Sequence, residues 1–290
     1  MPPLPRHAPS ARHPAGLTAL LLLGGCGEGV LNPQGPIGGA ERTILLDALA
    51  IMLAIVVPTI LASLAFAWWF RAGNARATRL PDWEYSGRIE LIVWSIPILV
   101  ILFLGGVIWI GSHRLDPFQP IAGRKTPIEV QVVALDWKWL FVYPAQNVAS
   151  VNRLVVPVGV PVHFSLTSAS VMNSFFVPQL GGQIAAMNGM VTQLSLQADK
   201  PGAYRGQSSQ FSGDGFSGMG FTLAAVPQAD YDGWIARVRA AGPTLDVAAY
   251  RALARQSQDV APATWRAVQP GLFDAIAHQR VPPAPGPEVR

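Results

Sequence analysis

The sequence predicts a membrane α plus all-β chain, with a two-helix transmembrane hairpin, a β-sandwich outside the bilayer and a helical C-terminal arm. Three observations predict it. Half of the 290 residues are apolar and only 13% are charged, against about a quarter in soluble proteins. Two long apolar runs, 43–70 and 91–111, lie close together in the first half of the chain. After residue 126 the apolar residues recur at alternate positions, the pattern of half-buried strands.

The first element is a processing signal. Arg6 and Arg12 precede the apolar run 17–23, and Gly24, Gly25 and Cys26 follow it. A basic region, a short apolar region and small residues make a secretory signal, too short to span a bilayer. The Leu-Gly-Gly-Cys ending is similar to a bacterial lipobox, which implies removal of residues 1–25 and lipidation of Cys26. The lipid would hold an external segment, 26–42, at the membrane surface. Cys26 is the single cysteine, so neither an intrachain disulfide nor a dithiolate metal site is expected.

The hairpin, 43–112, comes next. Each apolar run reaches the ~20 residues needed to cross ~30 Å of hydrocarbon. Asp47 is the only charge in the first span, and the second has none. Pro58 and Pro97 are tolerated where membrane helices pack, and Trp68, Trp69 and Trp109 read as interfacial anchors. The loop between the spans, 71–90, carries Arg71, Arg76, Arg79 and Arg88. Positive charge marks the cytoplasmic side, which puts both ends of the chain outside, as the signal also requires. The formal net charge is +4, and no basic stripe interleaved with aromatics is present to suggest nucleic acid.

Residues 126–227 are predicted as the sandwich, with alternating strands at 128–133, 161–166, 192–196 and 221–226 separated by Pro, Gly and Asn. About 100 residues is a usual size for such a domain. Tyr231, Trp234, Ile235 and Val238 then fall at helical spacing, and 245–254 and 272–277 are further apolar-periodic pieces. Residues 228–280 are therefore predicted as a helical arm. The proline-rich end, 281–290, is predicted to be disordered.

Five stretches, 88–97, 136–144 (DWKWLFVYP), 173–181 (NSFFVPQLG), 206–219 and 262–279, occur in one consistent order. Together they resemble subunit II of the haem–copper oxidases over roughly residues 26–280. The resemblance implies that the sandwich is cupredoxin-like. In the cytochrome c oxidases of that family it carries a dinuclear copper centre held by two cysteines, two histidines, a methionine and a glutamate carbonyl. Here Asn173 stands at a histidine position, Ser208 and Ser212 at the cysteines, Gln210 at the glutamate and Phe216 at the second histidine. Of the side-chain ligands, Met219 alone remains.

A mixed-valence copper pair needs soft bridging thiolates, whereas hydroxyls are hard, weak donors that do not ionise near neutrality. No metal and no cofactor are expected on this chain. The resemblance then implies the quinol-oxidising, bo-type branch. Ubiquinol is oxidised in the membrane, oxygen is reduced to water, and the haems and copper reside in subunit I. The expected partners are subunit I, further integral subunits and lipid, in the inner membrane of a bacterium.

The resemblance also places Glu90 at the cytoplasmic mouth of the pathway that brings protons to the oxygen-reducing site. The plain alternative is a solvated carboxylate beside Arg88. Trp137 and Trp139 match an aromatic patch that accepts electrons in copper-bearing relatives; without copper, packing or contact with subunit I is expected. His113 and His163 lack ligating neighbours and are assigned no site. Ser208 and Ser212 lack the Gly-x-Ser-x-Gly elbow of a hydrolase. Two rival functions stay distinguishable. A copper-bearing electron-transfer subunit predicts a copper signal, and a stand-alone periplasmic ligand-binding lipoprotein predicts isolation without a haem-bearing partner.

Overall fold

The computed structural model describes residues 29–282 apart from Arg79 and 122–124. The signal segment, Cys26 and residues 283–290 of the proline-rich end lie outside the described residues. Helices α1 (Pro36–Trp69) and α2 (Gly87–Arg114) form the hairpin, with Pro58 and Pro97 inside them. They approach closely where Gly111 faces Ile44; a Cβ on Gly111 would lie 2.8 Å from Ile44 Cδ1. Elsewhere Leu64, Phe66, Leu91, Ile101 and Leu102 stay 63–69% exposed. Both helices are long and apolar enough to cross a membrane.

Both helices outrun their predicted spans. α2 adds about a turn at each end. α1 starts at Pro36 rather than residue 43, because Pro at the first helical position is pre-set for the helix. Its 34 residues rise about 50 Å, more than the hydrocarbon needs. The surplus turns dock on the sandwich. Gly38 N–H donates to Leu180 O at 2.9 Å, and Gln34 N–H to Gln179 O at 2.7 Å. Asp199 N–H donates to Gln34 O at 2.8 Å, and Gly182 N–H to the Glu41 carboxylate at 2.9 Å. The approach is backbone against backbone: a Cβ on Gly35 would lie 2.1 Å from Gln197 O.

The sandwich has two sheets. The larger contains the run β3-β2-β1-β5-β8 and the smaller β4-β10-β9-β6-β7. Its strands are β1 (Ile128–Leu135), β2 (Lys138–Tyr143), β3 (Val148–Val151), β4 (Arg153–Pro157), β5 (Val162–Ser168), β6 (Asn173–Phe176), β7 (Gln183–Ala186), β8 (Thr192–Leu196), β9 (Gly202–Ser208) and β10 (Gly220–Val226). The β1–β5 and β4–β10 pairs are parallel, and the other pairs within these ten strands are antiparallel.

Asn152, at φ 53°, is the point where the chain leaves one sheet for the other. Its side-chain oxygen accepts from Trp139 N–H at 2.8 Å and its amide donates to Val260 O at 2.8 Å. Asn tolerates the left-handed region better than most residues. Between the sheets, Phe175 stacks on Phe221 at 5.1 Å, and Trp139 meets both edge-on. Such pairs add about 0.5–1.5 kcal/mol each beyond area burial.

The arm contains the predicted helices, α3 (Gln228–Ala240), α4 (Val247–Ala254) and α5 (Leu272–Ala277), and also three short strands. These are β11 (Thr244–Leu245), β12 (Ala263–Trp265) and β13 (Ala267–Val268). β12 pairs with β3 and extends the larger sheet, while β11 and β13 pair with each other. Leu245, Tyr250, Trp265, Leu272, Phe273 and Ile276 cover the outer face of β1–β3. As a result all six residues of β2 are buried. Val281, assigned above to a disordered end, is buried in this cluster.

Candidate functional site

The structure brings five of the six degenerate copper positions into one network at the end of the smaller sheet. Asn173 opens β6 and Ser208 closes β9, which are paired strands. Both are buried. Ser208 Oγ lies 3.2 Å from Asn173 Oδ1 and 3.1 Å from Gln210 O, and its single proton can serve one of them at a time. The same oxygen accepts from Ser174 N–H at 3.3 Å and Gln210 N–H at 3.4 Å. Gln210 thus takes part through its backbone, with its carbonyl facing Ser208.

A loop with a single 3₁₀ turn, Phe216–Gly218, carries the remainder. Ser212 Oγ lies 3.9 Å from Met219 Sδ, and Met219 is buried. Phe216 is half-buried and packs edge-on against the exposed Phe211 at 5.6 Å, with no side-chain contact to the network. The donors on offer are two hydroxyls, an amide, a carbonyl and one thioether. Among the described residues no three His, Cys, Asp or Glu gather as a metal site. Soft bridging ligands are missing, and the Ser208 hydroxyl is already engaged by backbone groups. This donor set does not fit a dinuclear copper pair.

Three consecutive residues, Asp136, Trp137 and Lys138, tie this network to the rest of the chain. Trp137 is partly buried and packs at the edge of the core, as expected, and it also donates its indole N–H to Ser212 O at 3.0 Å. A Cβ on Gly215 would lie 2.3 Å from its ring, so only glycine fits beneath it. Lys138 has no exposed surface and donates to Arg255 O and Ser257 Oγ, each at 2.7 Å, and to Asp136 O at 3.0 Å. Burial pulls its ammonium pKa down to about 8, opposed by the attraction of Asp136. The signal for Lys138 was its place in β2. It shares a face with Leu140 and Val142, the face that the arm covers. Asp136 is the third, bonded to Ser170 Oγ and to Gln256 Nε2.

Glu90 lies elsewhere, in the first turn of α2. Its backbone N–H bonds Ser86 O at 3.0 Å, and its exposed carboxylate has no hydrogen-bond or ion-pair partner among the described residues. The helix N-terminus favours its negative charge. His163 Nδ1 contacts Ser195 Oγ at 3.1 Å, and the His113 ring lies tilted against Trp109 with centroids 4.3 Å apart.

Comparison with known proteins agrees with this architecture. A family profile described as cytochrome c oxidase subunit II, periplasmic domain, matches residues 128–226. A second, described as the COX aromatic rich motif, matches residues 239–284. The chain is 45% identical over 260 residues to cytochrome bo(3) ubiquinol oxidase subunit 2 of Pseudomonas aeruginosa, covering 90% of this chain and 78% of that protein. It is 46% identical over 257 residues to the protein of the same name in Pseudomonas putida, covering 89% and 82%. It is 46% identical over 264 residues to ubiquinol oxidase subunit 2 of Acetobacter aceti, covering 90% and 85%.

Proposed function

This chain belongs to the subunit 2 family of the quinol oxidases, and from that premise we propose that it is the copper-free, non-redox subunit II of a proton-pumping terminal oxidase. The complex oxidises ubiquinol and reduces oxygen to water, with its haems and copper in subunit I. This chain covers the outer face of subunit I, and its hairpin packs among the integral subunits and lipid. The observation that carries the reading is the Ser208 hydroxyl, which bonds Asn173 and Gln210 where a copper ligand would stand. The test is EPR of the complex purified in mild detergent. Haem should accompany the chain and no mixed-valence copper signal should appear. Such a signal, stoichiometric with this subunit, overturns the reading.

The same reading sets the topology. Arg71, Arg76, Arg79 and Arg88 keep the helix connection in the cytoplasm of a bacterial inner membrane, so the sandwich is periplasmic. Lipidation at Cys26 supplies a second anchor on that side.

Glu90 at the cytoplasmic start of α2 takes up protons for the complex. A carboxylate with no partner among the described residues is free to face one in subunit I, and an ionisable group at a membrane boundary suits a relay. Glu90→Gln keeps the size and removes the titration. Turnover of the whole oxidase is expected to fall about tenfold, with haem content unchanged, since positioned acid–base groups contribute at least that much. Equal turnover and equal proton uptake would remove the role.

A further inference from the structure

The turn between β1 and β2 bonds three separate parts of the chain at once. Asp136 Oδ1 accepts from Ser170 Oγ, in the loop that leads into Asn173, and Oδ2 accepts from Gln256 Nε2 at 3.0 Å. Trp137, held at φ 63°, reaches Ser212 O and lies over Gly213 and Gly215. Lys138 reaches Arg255 and Ser257 of the arm. Three consecutive residues therefore touch the loop before Asn173, the loop from Ser208 to Met219, and the arm.

Loops that bind a metal gain order from the ion, because metal binding is coupled to folding. The donors here do not fit the copper pair, so the order must come from elsewhere. Inside the second loop the backbone bonds are few: Phe216 N–H to Gly213 O at 3.1 Å, Gly218 N–H to Gly215 O at 3.1 Å and Met219 N–H to Phe216 O at 3.0 Å are short-range, and a long Ser208 N–H to Met219 O contact at 3.4 Å closes the base. Across the two loops there is Ser209 N–H to Ser174 O at 3.1 Å. Such a loop lies at the low-stability end of a fold unless something external holds it.

We propose that the arm segment 255–257, acting through the Asp136–Lys138 turn, orders both former metal loops in place of an ion. The arm is then a substitute for the metal as well as a cover for the sheet. This inference rests on the copper-free reading, which its test must be able to fail separately.

The experiment is hydrogen exchange on the intact complex carrying Gln256→Ala and Ser257→Ala together. Gln256 is half-buried and Ser257 exposed, and neither contributes to the sandwich core. Two arm-to-turn bonds are lost, so exchange at Ser209, Phe216 and Met219 is expected to rise about tenfold or more. Amides of β2 and β10 should keep their protection. Trp137→Phe provides the second arm, expected to loosen 208–219 and leave 168–174 unchanged. Faster exchange confined to 250–260, with both loops unaffected, overturns the inference. If either variant fails to assemble, Gln256→Ala alone is read by the same criterion. Copper EPR on the same samples reports on the copper-free reading independently.

Discussion

Tyr143→Phe is expected to destabilise the sandwich by about 2–3 kcal/mol, the penalty for leaving two buried backbone groups without partners. The Tyr143 hydroxyl accepts from Val155 N–H at 2.8 Å and donates to Val155 O at 3.0 Å. β4 is the outer strand of its sheet, so the hydroxyl stands in for a neighbouring strand that is missing on that side. Tyr143 has no exposed surface, and burial drives its pKa far above the ordinary value. Tyr231→Phe is the control. Its hydroxyl is buried with no hydrogen-bond partner among the described residues, so removing it should be neutral or stabilising by up to about 1 kcal/mol. Urea unfolding followed by tryptophan fluorescence checks both. A lower midpoint at unchanged slope is expected for Tyr143→Phe alone. Equal midpoints for the two variants would show that the Tyr143 bridge contributes nothing.

The stability of the sandwich should rise with pH between about 7.5 and 9.5, by about 2 kcal/mol, because of Lys138. Its pKa is about 8 in the folded protein against 10.5 for the free group. A lysine with a depressed folded pKa destabilises while it is charged in both states. That cost is fully present below about pH 8 and fades as pH climbs towards 10.5. Above about pH 10 the sign reverses. Tyr143, Tyr231 and Tyr250 have raised pKa values, so the unfolded chain loses those protons first. Lys138→Met should abolish the rise over 7.5–9.5 while retaining the alkaline fall. A wild-type profile as flat as that of the variant would show that the ammonium is not desolvated.

Much of the fold was legible because burial on one side leaves a period in the sequence. Strands β1, β5, β8 and β10 alternate and were located to within a residue or two. β2 and β3 were not, since the arm covers their second face and every position is buried. The two-residue and three-residue strands of the arm are too short to carry a period. The outermost turns of α1 were missed because their residues (Pro36, Gly38, Gly39, Glu41, Arg42) are not apolar. They meet the sandwich through backbone groups, which leave little trace in side-chain pattern.

The candidate site divides in the same way. Asn173, Ser208, Gln210, Ser212 and Met219 were found by resemblance, and their chemistry followed from residue type alone. What no single stretch could disclose was the partnership of Lys138 with Arg255 and Ser257, which are separated from it by 117 and 119 positions. Buried lysine is rare enough that its neighbours normally explain it. Here those neighbours come from the far end of the chain.

The seam between α1 and the loop at 179–182 sets how motion passes through the molecule. A domain on a slack tether reorients freely, whereas this one is joined to its helix by four hydrogen bonds at Gln34, Gly38 and Glu41. A lean imposed on α1 is expected to pass to the sandwich through these bonds. The first transmembrane helix is in effect a lever, joined to the sandwich at the loop that follows β6.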